Sequence, residues 1–299
     1  MNINTSLIKL LAALLATLIP IGVHANPGDL YATDNSSIRI YAPDGTPSIF
    51  ASGLLRPRGL AFDGLGNLFV ATLDTAIRGD NRGQILKFAP DGIVTAFATG
   101  LDSPTGLAVD RAGNLYVVLS GRFTPGRFNG GIAPSGVTTG VGVTKISPGG
   151  VKNLFAILDP TTFHENFGIA IDERNNVFVA DNLQGTIYQI TPDGHFVTAR
   201  SISTFVPIDD PIGLAFDGAG NLYASHSFPP GGITRIAPDG TQAFVVSGLE
   251  DLRGLAFDHN GNLFAAGHGN NVIYKITPGG SVSILASGLN VPQFLAVKP

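Results

Sequence analysis

The stretch Gly213-Leu214-Ala215-Phe216-Asp217-Gly218-Ala219-Gly220-Asn221-Leu222-Tyr223-Ala224 decides the fold. Two short apolar alternations flank a turn with its own chemistry. The Asp carboxylate can accept backbone N–H bonds, and the Gly before Asn tolerates a positive φ. A period-two pattern broken in this way reads as a β-hairpin. Variants of the stretch start at Gly59, Gly106, Gly168 and Gly254, giving five hairpins in all. The repeated aspartates are read as turn formers. Their spacing fails the EF-hand pattern, which needs alternating oxygen ligands and a distal Glu.

Beyond each hairpin a third strand ends in a Pro-Asp-Gly or Pro-Gly-Gly turn, at Pro43, Pro90, Pro148, Pro192, Pro238 and Pro278. A fourth strand follows and often closes on Ser/Thr-Gly-Leu, as at Ser52, Thr99, Ser247 and Ser287. Four strands per repeat, at a period in the forties, define a propeller blade. Six proline turns against five complete hairpins leave one blade divided between the chain ends. Gly28-Asp29-Leu30-Tyr31-Ala32 reads as a second strand without its first, and Pro292-Gln293-Phe294-Leu295-Ala296-Val297 as a first without its second. The expected fold is therefore all-β: a six-bladed β-propeller of four-stranded blades, closed by pairing of N- and C-terminal strands in one blade. Closure ties the termini to each other and leaves neither terminal strand as an exposed edge that templates aggregation.

Composition agrees. Of 299 residues, 44% are hydrophobic and 13% charged, with 39 Gly and 20 Pro, which describes a folded, turn-rich β protein. The length suits one unit, because propellers run longer than the usual domain. The absence of cysteine excludes disulfides, thiolate zinc sites, a Cys nucleophile and thioredoxin-type redox chemistry. With 18 basic against 22 acidic residues and no basic block, nucleic acid is not an expected partner.

Residues 1–25 read as a signal peptide: Lys9, an apolar run from Leu10 to Val23, and Val23-His24-Ala25 as a small-x-small cleavage site. The run is too short for a membrane span and is broken by Pro20. Cleavage after Ala25 would leave a secreted or periplasmic propeller over residues 26–299, expected to be a monomer with no membrane span.

The Pro-x-Gly-Leu-Ala-x-Asp, Gly-Asn-Leu-Tyr-Val-Ala and Pro-Asp-Gly run resembles NHL-repeat propellers over residues 28 to 297. Architectures of that kind include the gluconolactonase and senescence-marker group, virginiamycin B lyase, and bacterial sensor or scaffold domains. The resemblance implies the fold far more strongly than a function. It also implies that the first strand of each blade lines the axis. Loops entering that strand, and loops from second to third strand, then share one face.

That face carries the residues that do not repeat, where repeat proteins usually bind. Immediately before the inner strands stand Arg58, Thr105, Phe167, Ile212, Arg253 and Gln293. Arg253, Gln293 and Arg58 fall on consecutive blades, forming a lip that suits a carboxylate. The competing reading pairs each Arg with a nearby acid, such as Asp102, Glu250 or Asp251. Second strands end at Asp34, Thr72, Leu119, Asp181 and His226, with His268 one residue further on. The two aspartates read as turn caps. His226, His268 and His164 are the candidates for general-base work or ligation. A long loop, residues 120–141, carries Arg122 and Phe123 and reads as a binding element over the same face.

Two function classes remain. No Gly-x-Ser-x-Gly elbow, His-Glu-x-x-His or Walker loop is present. The first expectation is thus an exported propeller binding a small-molecule, carbohydrate or protein ligand through Arg58, Arg253, Gln293, Arg122 and Phe123. The second follows from the resemblance: a lactone hydrolase or lyase in which Ca or another divalent metal polarises a carbonyl. Gluconolactonase-like relatives imply a Glu, Asn and Asp converging on the channel, for which Glu165, Asn166, Asp181 and Asp209 stand nearest. The local sequence departs from that family's motifs. The Glu-x-His element of virginiamycin B lyase is also replaced, by Ser225-His226 and Gly267-His268.

Overall fold

The computed structural model describes residues 26–73, 82–121, 140–159, 168–192, 202–207, 210–227, 230–249 and 251–299. They form six four-stranded antiparallel sheets, each running outward from an inner strand. The inner strands are Leu60–Phe62, Pro104–Val109, Ile169–Ile171, Pro211–Phe216, Leu252–Phe257 and Leu295–Val297, and these define blades one to six. Each touches the next in that order, and Leu295–Val297 returns to Leu60–Phe62, so the sheets close into a propeller.

Blade six is the divided one. Leu295–Val297 pairs antiparallel with Leu30–Thr33, in the register Leu30↔Val297 and Ala32↔Leu295. Ser37–Tyr41 and Pro47–Ser52 complete it. No described helix is long and apolar enough to cross a membrane.

The core lies between blades rather than inside any one of them. Tyr31, Ile38 and Leu54 of blade six pack with Leu60, Val70 and Phe88 of blade one. Phe178 and Ile187 of blade three meet Leu214 and Ala224 of blade four in the same way. Edge-to-face aromatic pairs cross several of these layers, with centroids 5.0 Å apart for Tyr31–Phe62, 5.2 Å for Phe178–Phe216 and 4.9 Å for Tyr223–Phe257. Full burial of one such ring contributes about 1.5–3 kcal/mol.

The outermost strands use a bulge as protection. In every blade an extra residue interrupts the pairing of third and fourth strands, at Phe50, Phe97, Phe155, Phe205, Val245 and Leu285, and blades one and two carry a second at Gly100 and Leu158. Phe50, Phe97 and Phe155 turn inward onto Tyr31, Phe69 and Tyr116 of their own blades, at 5.1, 4.9 and 5.0 Å. Bulges bend an edge strand away from further pairing. The fourth strands of blades four, five and six hold no charged side chain that could otherwise blunt the edge.

The Asp-x-x-Gly/Asn-Asn turns behave as the sequence predicts. Asp63, Asp110, Asp172, Asp217 and Asp258 each accept the N–H groups two and four residues on, at 2.8–3.0 Å. The other carboxylate oxygen takes the side-chain amide of the Asn four residues on, at 2.7–2.8 Å. Every carboxylate is thereby occupied inside its own turn.

Candidate functional site

The axis is closed by backbone. Gly59 N–H donates to the Thr105 carbonyl at 2.9 Å, Gly168 to Ile212 at 2.9 Å and Gly254 to Gln293 at 2.7 Å, each reaching the next blade. At Gly213 the Ser225 hydroxyl intervenes. It accepts the Gly213 N–H at 2.8 Å and donates to the Arg253 carbonyl at 2.6 Å. A side chain at these glycines would collide: a Cβ on Gly59, Gly168 or Gly213 would lie 2.1–2.2 Å from the facing carbonyl oxygen. The space left inside is a channel of about 150 Å³. Leu60, Leu107, Ile169, Leu214, Leu255 and Leu295 line it, one from each inner strand, and none of its lining residues is charged.

Chemistry therefore gathers at the mouth. Three residues before Gly59, Gly106, Gly213 and Gly254, and before Phe294 in blade six, the chain turns left-handed: Arg56, Ser103, Asp210, Asp251 and Val291 have φ between 44° and 58°. Such a conformation costs a non-Gly residue about 1–2 kcal/mol. Its recurrence marks a conformation that the ring imposes. Glu165 occupies the same position in blade three but lies outside the described residues.

Two of these residues anchor a polar cluster across blades four and five. Asp251 accepts from His268 twice, the backbone N–H reaching its carbonyl at 3.0 Å and the ring Nδ1 reaching Oδ2 at 2.6 Å. Its other carboxylate oxygen meets Arg253 Nε at 3.4 Å. Asp210 accepts from the Ser227 hydroxyl, and the Ser227 carbonyl takes the Asp251 N–H at 3.3 Å. His268 and Asp251 are 20% and 31% exposed at their side chains. The imidazole is thus oriented by a carboxylate at Nδ1, which leaves Nε2 to meet a ligand or carry a proton.

The other expected residues fall as follows. Arg253 pairs with Asp251, as the ion-pair reading has it, and Gln293 is partly exposed beside the closing blade. Arg58 is only 3% exposed, so of the expected lip Arg253 and Gln293 reach the rim while the Arg58 side chain is drawn inside. His226 is 7% exposed and sits within blade four, with Nε2 2.8 Å from Thr234 Oγ1 and its ring tilted over Phe244. That is a core histidine rather than one open to the mouth. Asp34 caps its turn through Ser36 and Ser37 and pairs with Arg39 at 3.1 Å. Asp181 caps its turn through Gln184 N–H at 3.1 Å and is fully buried. His164, Glu165, Asn166, Asp209, Arg122 and Phe123 lie outside the described residues.

Asp181 is thus the one described member of the implied metal set, and it already serves as a cap. Among the described residues no three His, Asp or Glu side chains come together to hold an ion. No step through a metal is derived from these donors. Asp210, Asp251 and Ser227 were not singled out as site residues in the sequence. Their signal is positional: Asp210 and Asp251 share one column of the repeat, and Ser227 follows the end of a second strand.

Neither a known protein family nor a curated protein matches the chain. Solved structures do. Virginiamycin B lyase from Staphylococcus aureus superposes with a TM-score of 0.57 at 15% identity, covering 88% of this chain and 82% of that one. A catalytically inactive His-to-Ala variant of the same lyase, solved with quinupristin, gives 0.56 at 15%, over 87% and 85%. A gluconolactonase from Xanthomonas campestris gives 0.59 at 19%, over 77% and 75%. At such identities the likeness establishes the six-bladed fold, which hosts many functions.

Proposed function

We propose that the chain is an exported propeller that binds a ligand at its channel mouth, over blades four to six. A small molecule or carbohydrate carrying hydroxyl or carboxylate groups suits the site best. The observation that carries this reading is the Asp251–His268–Arg253 cluster. It sets partly exposed donors and acceptors on a strained, fixed backbone at the mouth of a channel whose lining carries no charged side chain. Gln293 adds an amide on the neighbouring blade. Export follows from the reading of residues 1–25 as a signal peptide.

The 2.6 Å contact between His268 and Asp251 favours a second reading, a hydrolase or lyase. Asp251 would hold the Nδ1–H tautomer, Nε2 would take a proton from water or from carbon beside a carbonyl, and the carboxylate would stabilise the imidazolium so formed. The virginiamycin B lyase neighbour has a His-to-Ala form that is catalytically inactive, which is consistent with this reading.

The test is thermal unfolding of the 26–299 chain against monosaccharides, aldonic acids and lactones, with lactone turnover followed in parallel. A ligand at a hundred times its Kd should stabilise the protein by about 2.7 kcal/mol. That gain should vanish in Arg253→Ala combined with Gln293→Ala. A gain that survives this double change would place binding elsewhere. Turnover lost in His268→Ala while binding persists would select the enzyme.

A further inference from the structure

We infer that the α-amino group freed by cleavage between Ala25 and Asn26 becomes the ion-pair partner of Asp29, so that processing completes the closing blade. The inference rests on the export reading for the origin of that terminus. The contact itself stands on the geometry of blade six.

Asp29 precedes Leu30 where the other blades carry Asn67, Asn114, Asn176, Asn221 and Asn262. In those five blades the Asn amide donates to the turn Asp, so the position is satisfied locally. Blade six has no such turn, because its first two strands come from opposite ends of the chain. Instead Gly28 N–H donates to the Lys298 carbonyl, and Lys298 N–H to the Asp29 carbonyl, both at 2.9 Å. A carboxylate has replaced the amide at this position, and only 4% of Asp29 is exposed.

The donor to that carboxylate is Asn26 N, 2.7 Å from Oδ2. The segment is folded back to bring it there: Asp29 N–H donates to the Asn26 carbonyl at 3.1 Å, and Gly28 takes a left-handed φ of 90°. Asp29 Oδ1 has no hydrogen-bond partner among the described residues. A buried carboxylate served by one peptide N–H is poorly compensated. An ammonium on the same nitrogen supplies a positive charge and two more protons, and charge-assisted bonds are about twice as strong as neutral ones. Every described strand of the ring lies between Leu30 and Val297, so a chain beginning at Asn26 contains all six sheets.

The experiment compares two proteins: residues 26–299 released from a cleavable fusion with a free Asn26 terminus, and the same chain with Gly-Ser ahead of Asn26, which turns the ammonium into an amide. Both are repeated with Asp29→Asn, a residue the other five blades already accept here. The extended form should melt on the order of 3–8 °C below the free form, and the Asp29→Asn pair should melt together. Equal melting of the free and extended forms, or a gap that persists with Asp29→Asn, overturns the ion pair. N-terminal sequencing of the chain from an exporting host decides the other half. A terminus at Asn26 supports the processing step, and any other terminus overturns it whatever the melting shows.

Discussion

The two faces of the ring use repetition differently. On the turn face, five aspartates make the same bonds to the same relative positions, so backbone and side chain repeat together. On the mouth face only the backbone repeats: five residues share one left-handed conformation, yet they are Arg56, Ser103, Asp210, Asp251 and Val291. Where the side chain repeats, both of its carboxylate oxygens are engaged in its own turn. Where the conformation alone repeats, the ring dictates the path of the chain and leaves the side chain open to vary with a ligand. Blade six departs on the turn face, where the chain ends replace the turn.

If this division holds, the largest loss should come from the skeleton that both faces share. A Cβ on Gly59 would sit 2.2 Å from the Thr105 carbonyl and 2.9 Å from the Leu107 nitrogen, both backbone atoms that cannot rotate away. Gly59→Ala should therefore cost about 3 kcal/mol, the upper part of the range for overpacking. Urea unfolding measures it. A cost under about 1 kcal/mol would mean that the blades slide apart cheaply at the axis, and the skeleton would not be the fixed partner in the comparison.

How much of this was legible follows from the same division. Hairpins, Pro-Gly turns and the divided blade could be read because each rests on local chemistry repeated several times. The pairing of Leu30 with Val297 follows from counting alone. Arg58 and Arg253 could not be told apart, because both precede an inner glycine in a repeat, while burial depends on the neighbouring blade. His226 looked like a departure at the rim. Its seat against Thr234 needs the register of a third strand. Ser225, an apparent Ala-to-Ser variation, bridges two blades, and nothing in a single strand announces that.

A middle-sized effect belongs to the turn face. Burial tends to raise the Asp217 carboxyl, but bonds from the Asn221 side chain and from the N–H groups of Asn221 and Ala219 outweigh it and hold the group below its ordinary range. A carboxylate so lowered stabilises the fold above the unfolded-state value, about 3.9 for Asp, and this contribution fades as pH falls through the folded value. Asp44 and Asp239 are lowered likewise, through backbone bonds from Thr46 and Thr241. Asp217→Asn should cost about 1 kcal/mol at neutral pH, since the site is open enough for solvent to screen it. Denaturation curves at several pH values should show the gap to wild type closing below about pH 4. A gap that stays constant would mean that the turn is held by shape rather than charge.

The smallest stability effect should fall at the mouth. His268 donates to Asp251 at 2.6 Å, but both side chains reach solvent, and partly exposed pairs contribute about 0–1 kcal/mol. In His268→Ala the backbone bond from residue 268 to the Asp251 carbonyl and the Arg253 contact both remain, so the left-handed turn keeps its anchors. The melting temperature should therefore fall by no more than about 2–4 °C, while ligand recognition suffers most. The contrast with Gly59→Ala is the decisive quantity. Were His268→Ala to cost as much as the glycine change, the Asp251–His268 bond would belong to the skeleton, and the mouth would hold no side chain free for function. A near-silent His268→Ala would instead leave a carboxylate-oriented imidazole whose stability contribution is too small to account for its placement, and binding or proton transfer would be the remaining reason for it.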